Sequence, residues 1–119
     1  MNRATLYGIA HCDTVKRART WLAEQGVAFE FHDFKKAGVP PQALDRWLDA
    51  AGWERLLNRQ GSTWRKLDEA QRAAAHDSAS ARALMLAAPS IIKRPVVQWP
   101  DGVISVGFDA VDWARRIRH

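Results

Sequence analysis

Two neighbouring stretches decide the fold: Ala4-Thr5-Leu6-Tyr7-Gly8-Ile9-Ala10-His11-Cys12-Asp13-Thr14-Val15-Lys16-Arg17-Ala18, and then Val27-Ala28-Phe29-Glu30-Phe31-His32. Ala4 to Ile9 reads as a short buried strand, and Gly8 lets the backbone turn tightly afterwards. Asp13 or Thr14 is placed to cap a helix whose apolar positions Val15, Ala18, Trp21 and Leu22 recur at helical spacing, with Gly26 as its stop. Val27, Phe29 and Phe31 then alternate with Ala28, Glu30 and His32, the period of two that marks a half-buried strand. A strand, a crossover helix and a second strand make the two strands parallel. Cys12 therefore falls at the N-terminal end of the helix.

Outward from this unit the pattern changes. Residues 35 to 88 are rich in alanine and poor in β-branched residues. Pro40 and Pro41 start a helix bearing Leu44, Trp47, Leu48 and Ala51, which Gly52 ends; Trp53, Leu56 and Leu57 form a further short turn. Asn58-Arg59-Gln60-Gly61 reads as a turn, and Gly61 to Leu67 as a capped turn with Trp64 and Leu67 in the core. Asp68 to His76 and Ser78 to Ala88 follow as helices, the second stopped by Pro89. Pro95 to Trp99 and Val103 to Val106 are strands of a hairpin through Pro100-Asp101-Gly102. Asp109 caps a last helix carrying Val111, Trp113, Ala114 and Ile117. The order β-α-β, helical block, β-β-α predicts an α/β, thioredoxin-like fold. Its mixed four-stranded sheet has helices on both sides, and a helical insertion at about 38–89 separates the two halves.

At 119 residues the chain is read as a single domain, 1–119, because a second core would be too thin. A composition of 47% hydrophobic and 26% charged residues excludes a disordered or low-complexity chain. No apolar run approaches the roughly 18 residues that span a bilayer, and Met1-Asn2-Arg3 leads straight into the first strand without a signal-peptide core. The expectation is a cytoplasmic protein without a membrane partner. The net charge of +5 arises from 18 cations, 13 of them arginine. It fits either a solvated surface or a device for attracting anions. Arg115, Arg116 and Arg118 complement the dipole of the last helix, and with no stacking platform or groove-reading motif, nucleic acid is not an expected partner.

The one cysteine, Cys12, excludes an intramolecular disulfide, so any thiol chemistry must finish on another molecule. A cysteine reacts as thiolate, and its pKa of about 8.5 falls at a helix N-terminus or beside cations; His11, Lys16 and Arg17 lie within about a turn. A buried, inert cysteine is the alternative reading. A redox Cys-x-x-Cys would need a second cysteine where Val15 stands, and a phosphatase loop would need arginine where Ala18 stands. His11, His32, His76 and His119 show no ligand spacing with each other or with Cys12, so no metal is expected. In a thioredoxin-like fold the loop before the third strand lies against the cysteine loop. That would let Arg94 aim a planar fork of donors at an anion, with Pro95 cis beside it; a surface arginine at a strand start is the other reading.

Leu6-Tyr7-Gly8-Ile9 with Cys12-Asp13-Thr14, then Leu56-Leu57-Asn58, Thr63-Trp64-Arg65-Lys66-Leu67 and Ile91-Ile92-Lys93-Arg94-Pro95, resemble the arsenate reductase (ArsC) and Spx family, most closely its YffB-like branch. The resemblance covers nearly the whole chain. It implies a glutathione-dependent thiol or oxyanion reductase with no bound cofactor and glutathione as co-substrate. Cys12 matches the nucleophile, and Arg94 matches the oxyanion-binding arginine before the proline. Of two further arginines in the glutathione-coupled arsenate reductases, one has Asn58 at its position, with Arg59 next to it as a substitute. The other falls in Val106-Gly107-Phe108 and is missing, so weak arsenate reduction is expected. The substrate would be a small oxyanion or a disulfide, attacked by Cys12 with Arg94, Arg59, His11 and Lys16 about the anion. The alternative is an Spx-like module that binds RNA polymerase or another protein partner, with Cys12 as a redox mark; the Cys-x-x-Cys switch usual in Spx regulators is absent.

Overall fold

A computed structural model describes residues 3–117. Met1 and Asn2, the cation expected at Arg118, and His119 lie outside the described residues. The contacts gather into two compact units, one formed by the chain up to Asp33 with Arg94 onward, the other by Phe34–Lys93.

The first unit holds β1 (Ala4–Gly8), α1 (Asp13–Glu24), β2 (Phe29–Asp33), β3 (Val96–Gln98), β4 (Ile104–Val106) and α8 (Ala110–Arg116). The strand order is β2-β1-β3-β4. β1 and β2 are parallel, with Leu6 opposite Phe31, as the crossover through α1 requires. β3 runs antiparallel to β1, with Tyr7 opposite Val96, and β4 antiparallel to β3. This is the expected mixed sheet of a thioredoxin-like fold. The apolar stripe of α1, made of Val15, Ala18 and Leu22, packs with Ala4, Leu6, Val97, Trp99 and Trp113. Trp113 is the centre of this core: its ring meets Phe108 at 4.8 Å, Trp99 at 5.1 Å and Trp21 at 6.0 Å, all edge to face. Gly26 ends α1 at φ +70° and Gly102 turns the β3–β4 hairpin at φ +89°, conformations that favour glycine. Asp109 caps α8 through the N–H groups of Val111 and Asp112.

The second unit is helical: α2 (Phe34–Ala37), α3 (Pro41–Ala51), α4 (Trp53–Leu56), α5 (Ser62–Lys66), α6 (Glu69–Ala73) and α7 (Ser78–Ala87), then a 3-10 turn at Pro89–Ile91. Phe34, Leu44, Trp47, Leu56, Met85, Ile91 and Ile92 form its interior. The Asn58 N–H donates to the Ile91 carbonyl and the Lys93 N–H to the Leu56 carbonyl, each at 2.8 Å. Arg82 of α7 pairs with Asp45 of α3 at 2.6 Å.

Several local expectations are corrected. Residue 12, not Asp13 or Thr14, is the cap of α1. The segment from Ser62 is a helical turn whose Trp64 and Leu67 are only half-buried, because five residues have no room for a fully inward face. The helix expected over Asp68 to His76 ends at Ala73, although Asp68 and Gln71 do form a reciprocal capping box. Val111 is exposed rather than inward; Trp113 alone fills the core position on that turn.

Candidate active site

Cys12 holds the N-cap position of α1 with extended backbone, φ −78° and ψ 125°. Its N–H donates to the Ile9 carbonyl at 3.1 Å, and its own carbonyl accepts from the Lys16 N–H at 2.9 Å, which fixes the turn from β1 into α1. The side chain is half-buried against the sheet core. Burial raises the Cys12 pKa, but the Val15 N–H, the Arg94 guanidinium by hydrogen bond and by charge, and the Thr14 N–H together lower it below the ordinary thiol value. A neutral thiol is a weak acceptor and makes no side-chain capping hydrogen bond here. Charge on Sγ turns the unsatisfied N–H groups of the first helical turn into its partners.

Arg94 reaches this sulfur because of strand register. β3 is antiparallel to β1, so the residues just before Val96 arrive at the end of β1 from which the cysteine loop departs. The Arg94–Pro95 peptide bond is cis and Pro95 is buried. The Pro95 carbonyl accepts a hydrogen bond of 2.8 Å from the Gly107 N–H. The structure thus brings Cys12, Arg94 and Pro95 together.

His11 and Lys16 are exposed, and the cation that acts on the Cys12 sulfur is Arg94. Arg59 belongs to the helical unit, where its guanidinium stands 5.7 Å over the Trp53 ring from an exposed turn. Asn58 is used structurally: its Oδ1 accepts from the Gln60 N–H at 3.2 Å. The Val15 and Thr14 N–H groups, donors to the charged sulfur, were not singled out by sequence, although any cap residue faces the N–H groups two and three positions on. Among the described residues no group of three His, Cys, Asp or Glu is placed to hold a metal ion. What this arrangement can do chemically is hold a thiolate at a lower pH than an ordinary thiol allows, beside a planar cation that can also grip the anionic group being attacked.

Residues 7–115 match the ArsC family. The chain belongs to the ArsC family. Within that family it is similar to the YffB protein of known structure, at 50% identity and TM-score 0.89, over 97% of this chain and 99% of that one. An arsenate reductase (ArsC) related protein from Brucella melitensis is 48% identical with TM-score 0.74, covering 98% and 96%. A Haemophilus influenzae protein described only as uncharacterised is 36% identical over 109 residues, 92% of this chain and 94% of its own. The arsenate reductase from Vibrio cholerae, at 18% identity and TM-score 0.78 over 97% and 98%, shares the fold. This ArsC-family chain has Cys12, and Arg94 before Pro95, at the positions that the resemblance matches, and Gly107 at φ +87° where the resemblance would place a further arginine.

Proposed function

We propose that this protein is a glutathione-dependent thiol reductase of the cytoplasm with Cys12 as its only nucleophile. Membership in a family of thiol-dependent, arsenate reductase-like proteins supports the reaction class. The observation that carries the reading is Cys12 at the N-cap of α1, where the β1–β3 register delivers Arg94 beside the sulfur and its charge helps to lower the thiol pKa. Cys12 thiolate attacks one sulfur of a disulfide, RS–SR′. The S–S bond breaks, Cys12–S–SR forms and R′S⁻ leaves. Glutathione thiolate then attacks the adduct, releasing Cys12 thiolate and the glutathione mixed disulfide, since the chain has no second cysteine. Arg94 steadies the anionic group in both steps.

Intact mass spectrometry after incubation with oxidised glutathione tests this. The wild type should gain one glutathionyl group that excess glutathione removes, and Cys12→Ser should gain none. A wild type that stays unmodified, with a Cys12→Ser variant that still retains a protein partner such as RNA polymerase in pull-down, would overturn the enzyme in favour of a binding module.

A further inference from the structure

The outer face of α1 and the start of α8 form a seam that the chemistry at Cys12 does not use. Trp21, Phe108 and Ala110 floor an open hollow of about 400 Å³ whose rim near Cys12 is Lys16 and Arg17, with Glu24 at the far end. A second hollow of about 420 Å³ shares Trp21 and Ala110 and continues over Val111 and Ala114 to Arg115. Val111 is 72% exposed, against 43% for Val103. Nothing in the folding of α8 needs it there: Asp109 caps that helix, and Arg116 pairs with Asp112 at 2.7 Å. Lys16, Arg17 and Arg115 share no ion pair with another described residue. The seam therefore joins an apolar floor to three cations and one carboxylate. A second copy would set like charges against one another, which disfavours self-association. A segment with apolar side chains flanked by carboxylates is complementary on both counts.

Resting on the reading of Cys12 as a nucleophile, we infer that this seam docks protein substrates whose oxidised cysteine lies close to an acidic, apolar segment. The spacing follows from geometry. Trp21 stands nine residues after Cys12 along α1, roughly 13 Å at 1.5 Å per residue. Extended chain covers that distance in about four residues. A substrate cysteine delivered to Cys12 thus lies about four residues from the side chain that rests on Trp21.

The test uses three disulfides of thionitrobenzoate. One is with a peptide whose cysteine is four residues from a leucine flanked by glutamates, one with the same peptide carrying lysines for glutamates, and one with cysteine amide alone. Attack by Cys12 forms Cys12–S–S–peptide and releases coloured thionitrobenzoate. The wild type should react about 10-fold faster with the acidic peptide than with the lysine peptide at low salt. Val111→Glu combined with Arg115→Glu, both exposed sites, should bring the two peptides within about two-fold while the cysteine amide rate holds. Equal rates for the two peptides in the wild type, or a preference that survives the double substitution, overturns the docking surface. A wild type that fails with cysteine amide as well overturns the reading of Cys12 itself, and the docking inference with it.

Discussion

Gly8 and Val15 leave no space for an atom between them: a β-carbon on Gly8 would lie 2.8 Å from Val15 Cγ2 and 3.2 Å from Cγ1. This closeness seats the first turn of α1 on the end of β1, and the same turn carries the N–H groups that face the Cys12 sulfur. Gly8→Ala should therefore destabilise the protein by about 1–3 kcal/mol, the usual cost of overpacking a fully buried site. It should also raise the alkylation pKa of Cys12. Urea unfolding and iodoacetamide kinetics check the two effects; a Gly8→Ala protein as stable as the wild type would show that the turn has slack.

The Cys12 thiol should titrate below the free value of about 8.5 in rates of alkylation against pH. Arg94→Met should move the inflection up, and Arg94→Lys should recover only part of it, because ammonium replaces the charge but not the fork. The linked stability has a definite sign. The folded pKa is lower than the unfolded one, so between them the unfolded chain binds more protons and stability rises with pH. The contribution is complete above about 8.5 and is lost as pH falls through the lowered value. Wild type minus Cys12→Ser unfolding free energies over that window should show this slope; a flat difference would place no charge on the sulfur.

Gly107→Arg, which would supply the arginine that the family resemblance expects, should not create an arsenate reductase. Position 107 has φ +87° and its N–H holds the Pro95 carbonyl, so a side chain there costs about 1–3 kcal/mol. Reduced thermal stability with arsenate turnover still weak is the expected result. Turnover that rises in a variant as stable as the wild type would refute it.

Trp113 is 1% exposed and touches three aromatic rings, so Trp113→Ala should cost about 3–5 kcal/mol and Trp113→Phe markedly less. Denaturant midpoints measure both. A small loss for Trp113→Ala would mean that Trp21 and Phe108 close over the cavity.

The strand-helix-strand opening was legible because Phe29, Phe31 and the α1 stripe obey two distinct periods, and because Gly26 stands where a left-handed stop is needed. The α1 cap was misassigned for a chemical reason: cysteine is outside the usual capping residues, and Asp13 beside it is a stronger signal. Phe34–Ala37 escaped notice since four residues are too few to show a period. Val111 misled because helical spacing shows which residues share a face, not how much of that face is covered. Cys12 was legible from its place in the chain. Arg94 beside it was legible only through the expected fold and the family resemblance, because the antiparallel register of β1 and β3 brings it there and no local pattern records register between strands so far apart.

That register joins residues at opposite ends of synthesis. Thr5 pairs with Gln98, and the whole helical unit is made between the two. The equilibrium cost of so long a connection is small, about 0.6 kcal/mol for each doubling of its length. Its effect in time is larger, because chains emerge from the N-terminus onward. On the ribosome, β1, α1 and β2 can assemble while Arg94 has yet to be translated. The nascent protein thus carries Cys12 through most of its synthesis without the Arg94 guanidinium, which arrives only when the third strand docks and the sheet is complete.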